Sequence, residues 1–232
     1  AGLRRQTLAE VSGSKAALSG NILVSAGEGF TSAVLQAAQR MTTEHPQCTV
    51  ELQVSAEFHK VVRGVADVAV RTVHLGEPSL IYRPVGNLAY GVFAAASYLQ
   101  RFPDPSPATV ASVALLPPMD MLAQMRAAKA AGLERALISV NSFAAQLESV
   151  KQGLGVAVLP RTVAKDLIEL FPHVRLPDMP VYLVTRPQAL KQPHIQSFFA
   201  LLEQGLREAL RHGQEENHRA SEQIANGTQP SF

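Results

Sequence analysis

Short apolar runs alternate along this chain with stretches whose apolar residues recur every three to four positions, a pattern of strands and helices in turn. Ile22-Leu23-Val24 is an apolar run of the buried-strand kind, followed by Ala26-Gly27-Glu28-Gly29 as a turn. Residues 31–44 then carry Val34, Leu35, Ala38 and Met41 at helical spacing. Thr31 or Ser32 can cap the first turn, and His45-Pro46 ends the helix because a residue before proline leaves the α region. Residues 49–54 alternate as a strand, 57–63 fit a short helix ending at Gly64, and 66–71 form a third strand. Strand, helix, strand, helix, strand predicts a parallel sheet with crossover connections.

A second series follows. Strands at 80–85 and 89–95 flank Gly86-Asn87, where the composition turns alanine-rich and a second lobe is expected to begin. A proline-dense loop at 102–107 leads to a strand at 113–116 that Pro117-Pro118 stops. Residues 121–131 read as a helix and 136–140 as a strand, after which Asn141 or Ser142 can cap a helix with Phe143, Leu147 and Val150 on one face.

The stretch VKQGLGVAVLP, residues 150–160, contains a Gly-x-Gly. A phosphate-cradling loop needs strand, glycines, then helix, so that backbone N–H groups face the anion. Here the order is helix, glycines, strand. Gly153 is therefore predicted as a left-handed helix cap feeding a strand stopped by Pro160. A short strand at 174–176 and a clearer one at 181–185 precede a helix opened by Pro193, with Ile195, Phe198, Phe199, Leu202, Leu206, Ala209 and Leu210 on one face. Gly213 is expected to end it, and the remainder to 232 has little to bury and is expected to be disordered.

Composition narrows the picture. The 232 residues suffice for one large domain or two lobes of about 100 residues each, and with 47% hydrophobic and 17% charged residues the chain reads as globular. No apolar run approaches the 18 or so needed to cross a bilayer, and no export signal opens the chain, so no membrane partner and a cytoplasmic location are expected. The lone Cys48 forms no intrachain disulfide and reads as a buried, inert thiol. A net charge of +2 without a localised basic stripe gives this chain no nucleic-acid footprint of its own. The 7 histidines show no metal-ligand spacing, and no Gly-x-Ser-x-Gly surrounds Ser142, so no metal, no cofactor and no enzymatic activity are expected.

The run LSGNILVSAGEGFTSAVLQAAQRMTTEHP resembles the start of the effector-binding domain of LysR-type transcriptional regulators. Gly64 with Asp67-Val68-Ala69-Val70, the Ala96-Ser97-Tyr98-Leu99 segment, VKQGLGVAVLP, and VYLVT followed by PHIQSFFALL continue the likeness in the family's order, over residues 15–212. The resemblance implies two Rossmann-like α/β lobes joined by two crossing strands, a type 2 periplasmic-binding-protein-like architecture, with a small-molecule effector bound between them. It also implies a homodimer or homotetramer that meets DNA only through an N-terminal helix-turn-helix domain missing from this chain. Residues 1–18 then read as the end of a linker helix and linker, 19–86 with 185–212 as the first lobe, 87–184 as the second, and 213–232 as a disordered tail.

On that reading the first-lobe contacts come from Ser25, Gly27, Glu28, Gly29, Phe30 and Thr31, with Ser55 after the second strand and Arg71 after the third. The second lobe contributes Pro118, Asp120, Asn141 and Ser142. Backbone N–H groups at Thr31 and Phe143 are placed to donate to a carboxylate or phosphate oxygen, and Arg71 to add a bidentate contact. Equally, Thr31 and Ser142 can serve as plain helix caps and Arg71 as the partner of a local acid. Glu28 departs from the family pattern, since an acid stands where many relatives carry a hydroxyl or small residue, which weakens the expectation of an acidic ligand. Three other readings compete, one of them a module whose cleft is filled by its own side chains and whose work is purely oligomeric. A solute-binding protein of the same fold needs an export signal, and a small α/β transferase or lyase needs a cluster of titratable groups, for which only Glu28, Arg71 and Asp120 are at hand.

Overall fold

The computed structural model describes residues 17–54, 61 and 63–225, with side chains through residue 213. Strand β1 (Ser19–Ala26) runs through a 3-10 turn, Glu28–Phe30, into helix α1 (Thr31–Glu44), then β2 (Gln47–Val54) and β3 (Val68–Arg71). β1 lies between β2 and β3 and is parallel to both, the sheet that the order of the elements predicts. α1 buries Val34 and Met41 as expected, but Ala33 and Ala37 complete the buried face, while Leu35 is 54% exposed and Ala38 only partly buried. Neither Thr31 nor Ser32 caps the helix, because the 3-10 turn runs straight into it and leaves Phe30 at the N-cap position. The linker expected over 1–18 and the short helix expected at 57–63 lie largely outside the described residues.

The chain leaves the first sheet along β4 (Ile81–Leu88) and continues into β5 (Tyr90–Ala94), α2 (Ala96–Arg101), β6 (Ser112–Leu115), α3 (Ala123–Ala130) and β7 (Ala136–Val140). Helix α4 (Phe143–Lys151), β8 (Ala157–Pro160) and β9 (Ile168–Leu170) complete the second lobe. The chain returns along β10 (Met179–Thr185) into α5 (Pro193–Ala225). β10 is antiparallel to β3 and β4, giving a five-stranded order β2-β1-β3-β10-β4. The border expected at 184/185 therefore falls late: β10 belongs to the first sheet from Met179 onward, because the outgoing and returning strands pair with each other. The second lobe carries an antiparallel sheet, β8-β5-β9, and a parallel pair, β6-β7, joined by a bridge between Ser112 and Val156.

Three local details correct or sharpen the sequence reading. At the end of α4 Gly153 has φ +73°, with its N–H donating to Val150 O at 2.8 Å and the Leu154 N–H to Ser149 O at 3.1 Å. Those are the paired bonds of a Schellman cap. No strand forms at 174–176; the third strand of the β5 sheet is instead β9, whose Val92, Phe93 and Ala94 partners lie within β5. α5 does not end at Gly213 and the tail expected to be disordered from 213 is helical to Ala225. Gly213 is buried where the helix passes the Arg161–Val163 turn, and the space a side chain would take there is bounded by Arg161 and Thr162. Gly213 lacks the positive φ of a left-handed cap, so the helix continues through it.

The core of the first lobe forms between its sheet and the helices α1 and α5. Ile22, Val24, Val34, Met41, Leu183, Phe198 and Leu202 have no exposed surface. Asp67 ties three strands together: it accepts the Leu23 N–H on its carboxylate at 2.9 Å, donates its own N–H to Leu23 O at 2.8 Å, and receives the Thr185 hydroxyl on its carbonyl at 2.6 Å. Cys48 is buried in this core. Two α/β lobes joined by two crossing strands is the architecture anticipated, and among the described residues no helix is long and apolar enough to cross a membrane.

Candidate functional site

The loop at the carboxyl end of β1 faces the start of α4 across the gap between the lobes, the place where open α/β sheets gather loops and helix N-termini. Two adjoining cavities occupy that gap, with volumes of about 410 Å³ and about 430 Å³. Both fall within the roughly 300–1,000 Å³ usual for small-molecule sites. They share Glu28, Gly29, Val54, Phe143 and Pro160. The first lobe adds Gly27, Phe30 and Thr72 to the first cavity and Thr31 to the second. The crossing strands supply Leu88, Tyr90 and Met179, and the second lobe supplies Met119 and Leu122 to one chamber and Ala144, Leu147, Leu159 and Val163 to the other.

The walls are mostly apolar. Among the described lining residues Glu28 alone carries a charge at neutral pH, for Tyr90 is only 6% exposed and burial pushes its phenol up to about 12, so it stays protonated. Glu28 is also the group that reaches across. Its Oε2 accepts the Ala144 N–H in the first turn of α4 at 2.7 Å, a charge-assisted bond between the lobes. Ser142 supplies the helix's own cap, its Oγ accepting the Ala145 N–H at 3.1 Å and its carbonyl the Gln146 N–H at 3.1 Å.

The anticipated residues thus separate into groups. Gly27, Glu28, Gly29, Phe30 and Thr31 line the cavities. Ser25 and Arg71 lie beneath the first-lobe wall instead: Arg71 is 5% exposed, and its guanidinium donates to Ser25 O at 2.9 Å, Ser25 Oγ at 2.7 Å and Val70 O at 2.8 Å. Burial draws its pKa down, and the pair ties β3 to β1. The next residue, Thr72, lines the cavity in its stead. Ser55 lies outside the described residues.

In the second lobe, Pro118 precedes the 3-10 turn Met119–Met121, and Met119 is the residue of that turn that lines the cleft. Asp120 borders a separate cavity of about 40 Å³ inside the lobe, with Lys129 Nζ at 4.0 Å. Asn141 is exposed and lines neither chamber, and Ser142 acts on the cleft only by holding the first turn of α4. Sequence reasoning missed the apolar liners: Val54, Leu88, Tyr90, Leu122, Pro160 and Met179 look like any core residue in a linear pattern. One signal could have found some of them, since Leu88, Tyr90 and Met179 sit where the chain passes between the lobes. Among the described residues no group of three or more His, Cys, Asp or Glu side chains could hold a metal ion.

Comparison with known proteins agrees with this geometry. The sequence profile described as "LysR substrate binding domain" matches residues 15–207. The regulatory domain of CrgA, a LysR-type transcriptional regulator from Neisseria meningitidis, is 15% identical and superposes with a TM-score of 0.70, over 81% of this chain and 99% of that one. The regulatory domain of AphB from Vibrio vulnificus gives 0.63 at 16% identity, covering 79% of this chain and 98% of its own. The effector binding domain of QuiR in complex with shikimate gives 0.58 at 17%, covering 85% and 98%. No curated protein matches the sequence.

Proposed function

The chain belongs to the LysR substrate-binding domain family, and from that premise we propose that it is the effector-sensing part of a cytoplasmic transcriptional regulator, binding a small molecule in the cleft between its lobes. The family is one of binding domains rather than a class of enzymes. The observation that carries the reading is the pair of adjoining chambers, about 410 Å³ and about 430 Å³, walled by both lobes and by the crossing strands. A molecule there touches both bodies at once, so its affinity depends on how they are arranged. That difference in affinity is what allows a ligand to shift one arrangement toward another. The shift passes to DNA-binding arms through contacts between copies in a dimer or tetramer, and DNA itself is met by a helix-turn-helix segment of the regulator. Gly27 to Thr31 form the first-lobe side of the ligand site, and the start of α4 forms the second.

Thermal melting of the chain against a panel of metabolites tests this. At a hundredfold excess over its Kd a one-site ligand adds about 2.7 kcal/mol of stability. Val54, 52% exposed and lining both chambers, is the position at which to fill the cleft. A compound that raises Tm in the unaltered chain but not in Val54→Trp supports the site. A rise that persists in Val54→Trp places binding elsewhere and overturns it.

A further inference from the structure

The Glu28 contact carries the argument one step further, to the chemistry of the ligand, on the premise that the cleft is the ligand site. The first turn of α4 is where an anion would find free N–H groups and the positive end of a helix. In this chain three donors of that turn are already engaged. The Ala144 N–H goes to Glu28 Oε2 at 2.7 Å, the Ala145 N–H to Ser142 Oγ at 3.1 Å, and the Gln146 N–H to Ser142 O at 3.1 Å. The carboxylate that takes the Ala144 position comes from the opposite lobe and lines both chambers. A ligand carboxylate or phosphate entering here would meet that charge within a few ångströms, in a gap whose described walls offer no lysine, arginine or histidine to offset it. Around it stand Phe30, Leu88, Met119, Leu122, Phe143 and Met179, which favour rings and alkyl groups. Tyr90 and Thr72 can supply hydrogen bonds without charge.

We propose that Glu28 fills, from within the chain, the anion position of the cleft, and that the effector is a largely apolar molecule carrying no negative charge. Glu28 then has two roles: it spans the lobes in the structure seen here, and it selects against anions. Repulsion between like charges a few ångströms apart in a partly dry gap disfavours an anionic ligand at least about tenfold against its uncharged counterpart.

Two fluorescent probes with one ring skeleton separate the alternatives: uncharged N-phenyl-1-naphthylamine and its anionic counterpart 1-anilinonaphthalene-8-sulfonate. Their affinities are measured on the unaltered chain, on Glu28→Gln, which keeps an oxygen for the Ala144 N–H but removes the charge, on Glu28→Ala, which also frees that N–H, and on Val54→Trp. We expect the unaltered chain to favour the uncharged probe at least about tenfold, and the anionic probe to gain affinity from unaltered to Glu28→Gln and again to Glu28→Ala. Both probes should lose affinity in Val54→Trp. A ratio of affinities unchanged by either Glu28 substitution, with Val54→Trp still blocking both, overturns the ligand class and leaves the cleft standing as the site. Failure of both probes to bind, or binding that ignores Val54→Trp, overturns the cleft reading and this inference with it. Melting curves of the Glu28 variants that match the unaltered chain show that a change in ratio is not a loss of fold.

Discussion

The two lobes use the same elements but hold them differently. The first lobe has one continuous five-stranded sheet covered by α1 and α5, and its interior is filled by large apolar side chains with no exposed surface, Phe198, Ile22, Met41 and Leu183 among them. The second lobe splits its strands into a group of three and a pair, and Ala94, Ala128, Ala157 and Ala164 recur in its interior. Side chains bonded to backbone compensate for the broken sheet. Tyr98 OH accepts the Ala111 N–H at 2.9 Å, Gln146 Nε2 donates to Val113 O at 2.8 Å, Gln124 Nε2 to Pro177 O at 2.8 Å, and Arg101 to Gly153 O. Arg161 pairs with Glu169 across both of its terminal nitrogens. A hydrogen bond is directional and weakens steeply as its angle closes, whereas burial of apolar area carries no direction. The first lobe keeps such bonds at Asp67 and Arg71 within a continuous sheet, whereas in the second they stand where the sheet is interrupted.

Substitutions can break or sharpen that contrast. The largest effect is expected from Phe198→Ala, which empties a fully buried site in the first lobe and should cost about 3–5 kcal/mol in denaturant unfolding. A smaller cost would mean that the first lobe is looser than its packing implies. Tyr90, on the strand that crosses between the lobes, comes next. Its folded pKa of about 12 lies above the ordinary value of 10.0, so its contribution is intact below pH 10 and is lost as pH rises toward 12. That loss amounts to about 2–3 kcal/mol, and Tyr90→Phe should flatten the alkaline limb of the stability profile.

Gln146→Ala removes the donor to Val113 O and should cost about 1–3 kcal/mol, with amide exchange accelerated in β6 more than in the first-lobe sheet. Equal acceleration in both sheets would erase the distinction between the lobes. The smallest effect is expected at Gly153→Ala, about 1–2 kcal/mol, read as a shift in the denaturation midpoint. There φ is +73°, and an added Cβ would come within 2.6 Å of Ser97 Oγ.

What the linear sequence disclosed follows the same division. Elements whose apolar spacing is sustained were readable: α1 spans the expected 31–44, β1 and β3 flank one another as the order implied, and the face of α5 from Ile195 to Leu210 is buried as its period required. Gly153 was readable because helix, glycine, strand admits one local geometry. β9 was not, since Ile168-Glu169-Leu170 is three residues long and acquires its meaning from pairing with β5. The cleft divided likewise. The loop from Gly27 to Thr31 announces itself by its glycines and its place after a strand. Arg71 carries the type of side chain a ligand site would use, yet Ser25 Oγ on the neighbouring strand takes its guanidinium. Whether a cationic side chain faces a cavity or a neighbouring strand is settled in three dimensions and leaves no trace in spacing. The contact between Glu28 and Ala144 joins residues far apart in sequence, and no periodicity encodes it.

The unbroken course of α5 past Gly213 has a mechanical consequence. The helix is rooted in the first lobe through Phe198, Leu202 and Leu206, while Gly213 rests against Arg161 and Thr162 of the second. A rigid bar clamped in one body and bearing on another works as a gauge of their relative tilt. A change in that tilt would be felt at Gly213, from which the helix continues to Ala225.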